Sequence, residues 1–136
     1  MPDSLRGTLE TILVVDDDPA VRGLVVDILE RANFKVLSAD CAANGLKLSG
    51  ETSGIIHLLL SDIDMPKMSG PHLGEAMKKT RPHLHVMFMS GGGIDGNLLV
   101  LNYGWAYIQK PFVAKKLVQN AHRRIALKRP IPTRRS

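Results

Sequence analysis

The fold is decided by the stretch Ile55-Ile56-His57-Leu58-Leu59-Leu60-Ser61-Asp62-Ile63-Asp64-Met65-Pro66-Lys67-Met68-Ser69-Gly70. Its apolar first half, followed downstream by proline and glycine, is typical of a strand that is buried on both faces of a parallel sheet. This strand delivers the carboxylate of Asp62 to its carboxyl end. A charge placed there costs free energy unless another group compensates for it. The rest of the sequence therefore has to supply that compensation.

Four other short apolar runs predict further strands, and segments of helical periodicity separate them. The additional strands are predicted at Thr11–Val15, Lys35–Ala39, Leu84–Met89 and Trp105–Ile108. The helices are predicted from Pro19 to Asn33, from Cys41 to Leu48, from Gly70 to Arg81, over a short segment at 97–102, and from Ala114 to Ile125. The last helix is expected to turn a stripe of apolar residues inward, namely Ala114, Leu117, Val118, Ala121 and Ile125. Alternating strands and helices predict an α/β protein with a doubly wound, five-stranded parallel sheet that carries helices on both faces.

The composition is that of one globular domain. The chain has 136 residues, of which 44% are hydrophobic and 23% are charged. A chain of this length can form a hydrophobic core without disulfide bonds or structural metal ions. The single cysteine, Cys41, excludes an internal disulfide and a zinc site built on cysteines. No apolar run approaches the roughly 18 residues of a membrane span, and the first residues lack the apolar core of a signal peptide. A cytoplasmic location and no contact with membranes are therefore expected.

The charge is distributed unevenly along the chain. Residues 1–95 contain 9 basic and 13 acidic residues, a net charge of −4, whereas residues 96–136 contain 9 basic and no acidic residues, a net charge of +9. One interpretation of the basic end is binding to nucleic acid or to an acidic partner. The other is a solvated basic helix followed by a disordered tail. The second is favoured because the tail has no aromatic residue on which a base could stack, so direct nucleic-acid binding is not expected.

Polar side chains follow four of the five predicted strands. They are Asp16 and Asp17 after the first strand, Asp62 after the third, Ser90 after the fourth and Lys110 after the fifth. In open α/β sheets, ligands bind outside the carboxyl ends of the strands. Three neighbouring carboxylates repel one another, and their hard oxygen atoms favour Mg²⁺, or the similar Mn²⁺, as the compensating cation. With a lysine and a hydroxyl beside them, phosphoryl transfer to an aspartate is a coherent mechanism.

Several of these segments resemble the signatures of bacterial two-component response-regulator receiver domains, either single-domain receivers or those of hybrid kinases. The segments are Ile12-Leu13-Val14-Val15-Asp16-Asp17-Asp18-Pro19, Asp62-Ile63-Asp64-Met65-Pro66-Lys67-Met68-Ser69-Gly70, Ser90-Gly91 and Tyr107-Ile108-Gln109-Lys110-Pro111-Phe112. The resemblance implies a flavodoxin-like sheet with strand order 2-1-3-4-5. It also divides the chain into an N-terminal extension at 1–9, a receiver domain at 10–128 and a basic, disordered tail at 129–136.

The resemblance implies a phosphoacceptor and a metal site. Asp62 would accept a phosphoryl group from a histidine kinase or a histidine phosphotransfer protein. Asp16 and Asp17 would hold Mg²⁺ together with Asp62, with Asp17 binding directly and Asp16 either directly or through water. Asp64 would contribute its backbone carbonyl to the same ion.

The resemblance also implies a switch. Ser90 and Lys110 would bind the phosphoryl oxygens, and Tyr107 would be the aromatic residue that turns inward when Ser90 moves toward the phosphate. The Lys110–Pro111 peptide bond is a candidate for the cis form, which would fix the direction of the lysine. The chain departs from the family in the sequence Gly104-Trp105-Ala106-Tyr107, and the segment between Ser90 and Tyr107 is short.

The expected function is that of a phosphorylation switch rather than an enzyme. Its partners would be the phosphodonor and an unknown downstream protein, and it would act as a monomer or as a phosphorylation-dependent dimer. One alternative is a receiver-like binding module that works without phosphorylation. Another is an aspartate-nucleophile phosphatase, because Asp62 and Asp64 resemble the acidic pair of haloacid-dehalogenase-type enzymes. In those enzymes, however, the pair follows the first strand and precedes Gly-Thr, whereas here Met65-Pro66 follows it.

Overall fold

The computed structural model describes residues 9–91 and 105–127 of the chain. Its strands are β1 (Thr11–Val15), β2 (Lys35–Ala39), β3 (Leu58–Asp62), β4 (His85–Ser90) and β5 (Ala106–Gln109). The helices within this part are α1 (Pro19–Arg31), α2 (Ala42–Glu51), α3 (Gly70–Thr80) and α4 (Ala114–Ala126). The predicted helix at 97–102, the tail at 129–136 and all but the last residue of the predicted extension at 1–9 lie outside the described residues. Within the described ranges, no helix has both the length and the apolar character needed to cross a bilayer.

The five strands form one parallel sheet in the order β2-β1-β3-β4-β5. This order confirms the predicted fold class and places β3 at the centre. The pairing of Val15 with Ser61 brings the carboxyl ends of β1 and β3 side by side. The residues that follow these two strands are therefore neighbours in space, although 46 positions separate Asp16 from Asp62 along the chain.

The sheet is covered on both faces, and each face has its own core. Alternate strand residues such as Leu13, Leu59 and Phe88 pack against α2 and α3 on one face. Their neighbours, among them Leu58 and Leu60, pack against α1 and α4 on the other. The three leucines of β3 are completely buried, and each contributes roughly 1.5–3 kcal/mol through removal of its side chain from water. Burial of both faces explains why this strand is a continuous apolar run rather than an alternating one.

Local signals fix the ends of α1. The Asp18 side chain caps the helix by accepting hydrogen bonds from the backbone N–H groups of Ala20 and Val21, at 2.9 and 3.4 Å, and Pro19 occupies the first turn. At the other end, Asn33 adopts a left-handed conformation with φ of 73°, a geometry that asparagine tolerates better than most residues. The cap at Asp18 thus fixes the junction between α1 and the loop after β1, and this loop carries Asp16 and Asp17.

Some predicted boundaries were wrong. Strand β3 begins at Leu58 rather than Ile55, whose side chain is 70% exposed, because backbone pairing with β1 starts only at the N–H of His57, which donates to the carbonyl of Thr11. Helix α2 continues to Glu51, beyond its predicted end. In α4 the buried stripe begins at Leu117, so Ala114, which was expected to face inward, is exposed.

A glycine allows a close approach beside the end of β3. A Cβ atom at Gly70 would collide with the backbone carbonyl of Asp62 and would crowd the ring of Phe88. The N–H of Gly70 donates to the carbonyl of Ile63 at 2.9 Å. The start of α3 is therefore packed directly on the backbone that carries Asp62, and the loop between them is folded tightly.

Candidate functional site

Three carboxylates converge at the carboxyl edge of the sheet. One oxygen atom from each of Asp16, Asp17 and Asp62 lies within 4.8 Å of the others. Asp16 is completely buried, Asp17 is exposed and the side chain of Asp62 is 14% exposed. The structure thus brings together the three acids that the sequence placed after β1 and β3.

The polar groups of Asp16 are held by four neighbours. Its N–H donates to the carbonyl of Ala39 at 3.2 Å, and its carbonyl accepts from Nη1 of Arg22 at 2.8 Å. One carboxylate oxygen accepts from the N–H of Asp18 at 2.9 Å, and the other accepts from Nζ of Lys110 at 3.2 Å. A buried carboxylate that is bound in this way is fixed in orientation. Asp17, by contrast, is exposed to solvent and to an incoming ion.

Lys110 bridges two of the three carboxylates. Its Nζ atom lies 3.2 Å from Asp16 Oδ2 and 3.4 Å from Asp62 Oδ1, with its side chain 20% exposed. Burial acts to lower the pKa of Lys110, but the carboxylates of Asp16 and Asp62 outweigh it and raise the pKa above its usual value. The peptide bond to Pro111 is cis, and the N–H of Lys110 donates to the carbonyl of Ser90 at 2.6 Å. The two carboxylates therefore favour the protonated, positively charged form of Lys110 between them.

Asp62 carries a charge that is only partly compensated. Burial raises its pKa, Lys110 lowers it, and the nearby charges of Asp16 and Asp17 raise it again, with a net rise above the usual value. The backbone carbonyl of Asp62 accepts a hydrogen bond from the hydroxyl of Ser61 at 2.8 Å. One lysine thus does not balance the charge of three acids, and a further cation would relieve their repulsion.

Because the pKa of Asp62 is raised, the stability of the metal-free protein is expected to depend on the protonation of this carboxyl group. Because the folded state holds this proton more tightly than the unfolded chain, the stabilising contribution of the carboxyl group is present at acidic pH and is lost as the pH rises through its folded pKa. At pH 7 in the presence of a chelator, Asp62→Asn is therefore expected to raise the melting temperature.

Melting curves at pH 7 and at about pH 3, below the ordinary pKa of an aspartate, measure this effect. The gain is expected to shrink at the lower pH, where wild-type Asp62 is protonated. The control is Asp27→Asn, which removes an exposed carboxylate on α1 and should change stability by no more than about 0.5 kcal/mol. A lower melting temperature for Asp62→Asn at pH 7 would contradict the account.

The remaining predicted site residues lie around the acids. Ser90 is the last residue of β4 and is 2% exposed. Tyr107 in β5 is half-buried and packs against the core that faces α2 and α3. Asp64 is exposed, and its carboxylate is not part of the acidic cluster found among the described residues. Part of the segment between Ser90 and Tyr107 lies outside the described ranges.

Sequence reasoning missed Arg22 as a residue of the site. Its guanidinium reaches from α1 to the backbone carbonyl of Asp16. The available signal was its position in the second turn of a helix that begins three residues after Asp16. That spacing returns the side chain to the loop from which the helix starts. Arg22 therefore holds the main chain of a cluster acid.

The acidic cluster fits the predicted Mg²⁺. The ion binds oxygen ligands at about 2.1 Å, so two of its ligands are at most roughly 4.2 Å apart. The three oxygen atoms lie within 4.8 Å of one another, close to that spacing. Two or three protein ligands leave positions for water and for a phosphate oxygen, as is usual for Mg²⁺.

Comparisons with known proteins agree with this geometry. Residues 12–122 match the response regulator receiver domain family. The chain is 32% identical over 109 residues to the sensor kinase CckA of Brucella abortus, a match that covers 79% of this chain and 12% of the kinase. It is 33% identical over 111 residues to the transcriptional regulatory protein CpxR of Escherichia coli K12, covering 81% of this chain and 47% of that protein. The chain thus spans less than half the length of either relative.

A solved structure shows the same architecture. It is a response regulator receiver domain protein from Clostridium thermocellum, 31% identical, with a TM-score of 0.80 and coverage of 88% of this chain and 97% of that one. Receiver domains bind Mg²⁺ at an acidic pocket, and an acidic cluster of this kind is present here. The family match, the strand order and the cluster agree, and the chain belongs to the response regulator receiver domain family of two-component signalling systems.

Proposed function

We propose that this receiver accepts a phosphoryl group on Asp62 from the phosphohistidine of a histidine kinase or a histidine phosphotransfer protein, in a reaction that depends on Mg²⁺. The observation that carries the proposal is the convergence of three carboxylates with a single lysine shared between two of them. The partly compensated charge of Asp62 favours both a cation and a cation-bound phosphoryl group.

In the proposed reaction, a carboxylate oxygen of Asp62 attacks the phosphorus atom in line with the departing imidazole. The new bond joins that oxygen to phosphorus, the bond between phosphorus and the histidine nitrogen breaks, and the imidazole keeps the bonding electron pair. Bound Mg²⁺, held by Asp16, Asp17, Asp62 and the carbonyl of Asp64, would supply positive charge to the phosphoryl oxygens. Lys110 lies beside the nucleophile and is placed to pair with a second oxygen of the group.

The phosphoryl group would act as a switch. Attached to Asp62, it adds charge and acceptor oxygens that Ser90 and Lys110 would bind. Movement of Ser90, at the end of β4, would then bias the position of Tyr107 on the neighbouring strand β5, where Phe88 pairs with Tyr107. We place this unit at residues 10–128. The expected output is contact with a downstream protein or phosphorylation-dependent dimerisation, with no multiple-turnover catalysis.

Intact-mass measurement after incubation with acetyl phosphate and Mg²⁺ tests the proposal. The expected result is the addition of one phosphoryl group to the wild-type chain, with no addition to Asp62→Asn. The matched control is Asp64→Asn, which removes an exposed carboxylate outside the cluster and should still be modified. Absence of an adduct on the wild-type chain would favour the binding module that works without phosphorylation.

The same reaction separates the switch from a phosphatase. A switch forms one acyl phosphate for each chain and releases phosphate only as that bond is lost. Steady release of phosphate from a phosphomonoester such as p-nitrophenyl phosphate, over many turnovers, would instead support the alternative function of an aspartate-nucleophile phosphatase. The structure gives that alternative little support, because the exposed Asp64 carboxylate stands apart from the three acids.

A further inference from the structure

A cavity lies at the amino-terminal edge of the sheet, at the end opposite to Asp62. Its volume is about 500 Å³, and it opens between the segment 53–57 before β3 and the segment 80–85, which runs from the end of α3 to the start of β4, with Ile125 of α4 beside them. This volume is within the range of about 300–1,000 Å³ that is usual for small-molecule sites. The acidic site makes no use of it.

The cavity is lined by basic and neutral residues without any acid. Its ionisable lining residues are His57, Arg81, His83 and His85, and none of its lining residues is aspartate or glutamate. The nearby Nζ of Lys78 donates to the carbonyls of Pro82 and Leu84, two further lining residues, at 3.1 and 2.8 Å. The charged lining residue Arg81 and the nearby Lys78 are both cations, so the charge of the lining is opposite in sign to that of the acidic site.

Arg81 is held rigidly by neutral acceptors. Its Nε and Nη2 atoms donate to Ser49 at 2.9 Å, and Nη2 also donates to the carbonyl of Thr52 at 2.9 Å. Nη1 donates to the carbonyl of Gly54 at 3.0 Å. All four acceptors are neutral, and within residues 9–91 and 105–127 Arg81 has no ion pair with a carboxylate. A guanidinium fixed by four bonds retains one N–H for an anion, without further ordering of the side chain.

His85 adds a buried polar atom to the same wall. His85 is 5% exposed, and its Nε2 atom lies 2.9 Å from the carbonyl oxygen of Leu127. That contact assigns the ring proton to Nε2, which leaves Nδ1 as an acceptor with no hydrogen-bond partner in the described part of the chain. Burial, aided by the charges of Arg124 and Lys78, lowers the pKa of His85, so its ring is neutral at pH 7 and the cation of this wall is Arg81.

The cavity also has an apolar side. Ile55 lines it with 70% of the residue exposed, and Ile56, Pro82, Leu84 and Ile125 add to the apolar lining. An exposed isoleucine beside an arginine suits a ligand with one acidic group and an apolar body. We propose that this cavity binds a small amphipathic organic anion, with the acidic group on Arg81 and the apolar body against Ile55 and Ile125.

The fluorescent probe 1-anilinonaphthalene-8-sulfonate, an anion with an aromatic body, tests the proposal on the folded protein. Saturable binding of one probe for each chain is expected. Because Ile55 is exposed, it accepts a charge of either sign without disturbing the core. Ile55→Glu and Ile55→Lys lose the same apolar contact, so the difference between them isolates charge. The Kd of the glutamate variant should exceed that of the lysine variant by about tenfold.

Two control variants and NMR spectra test whether the probe binds in this cavity. Lys116→Glu, on the exposed face of α4, should leave the Kd unchanged, and so should Asp62→Asn at the opposite edge. In ¹H–¹⁵N spectra the shifted amides should lie in the segments 53–57 and 80–85. No saturable binding, equal Kd values for the two Ile55 variants, or shifts confined to α4 would each overturn the proposal. Circular dichroism that matches wild type shows that the variants remain folded.

Discussion

Lys110→Ala is expected to lower the free energy of unfolding by about 3 kcal/mol. The lysine bridges Asp16 and Asp62, and Asp16 is completely buried. Without the lysine, the buried carboxylate of Asp16 keeps, among the described residues, only the hydrogen bond from the N–H of Asp18, and two more acids lie beside it and repel its charge. Removal of one partner from a buried ion pair costs about 3–5 kcal/mol, and the lower end applies because Lys110 is 20% exposed.

Urea denaturation at pH 7 in the presence of a chelator measures this loss. The matched control is Lys115→Ala, which removes an exposed lysine from the first turn of α4 and should change the free energy of unfolding by less than about 0.5 kcal/mol. Millimolar Mg²⁺ should restore part of the stability of Lys110→Ala, because an ion that binds only the folded state stabilises it. Equal stabilities of the two variants would show that the bridge does not compensate the acids.

Asp17→Ala is expected to weaken Mg²⁺ binding by about 100-fold. Even groups that only support metal ligands change affinity by 10–100-fold when mutated, and Asp17 is the exposed member of the triplet, without the bonds to Lys110 and Asp18 that occupy Asp16. Its loss removes one ligand and one charge from the cluster. Stability should change little or rise slightly, since repulsion among the acids decreases.

Isothermal titration of Mg²⁺ into the wild-type and variant proteins checks this prediction. Asp27→Ala serves as the control, because it removes an exposed acid of α1 that pairs with Arg31 rather than with the cluster. Its affinity for Mg²⁺ should equal that of the wild type. An unchanged affinity in Asp17→Ala would mean that the metal binds elsewhere.

The sequence predicted the fold well because the order of apolar and polar segments along the chain carries most of the information that specifies a doubly wound sheet. Buried strands are continuous apolar runs, and the caps Asp18 and Ser69 are local, each accepting a hydrogen bond from the first turn of its own helix. The onset of β3 is not a local property. It depends on Thr11, 46 residues earlier, whose N–H donates to Nδ1 of His57, so an apolar Ile55 alone could not reveal that pairing begins two residues later.

The acids of the candidate site were predictable, but their supports were not. Three carboxylates at strand ends follow from the alternation of strands and helices. Arg22 beside Asp16 depends on how α1 crosses the sheet, and Arg81 beside Ser49 depends on a contact between α3 and α2 that spans 32 positions. The direction of the pKa shift of Asp62 also required the structure, because burial rather than repulsion is its largest cause.

The site of phosphorylation is the central claim, and borohydride reduction followed by peptide mass spectrometry tests it most directly. The protein is treated with acetyl phosphate and Mg²⁺, and borohydride then reduces any aspartyl phosphate to homoserine at the residue that carried it. Homoserine is expected at position 62 alone, and none is expected when a chelator replaces Mg²⁺. Homoserine at another aspartate, such as Asp17, or an unmodified Asp62 in the presence of Mg²⁺, would contradict the claim.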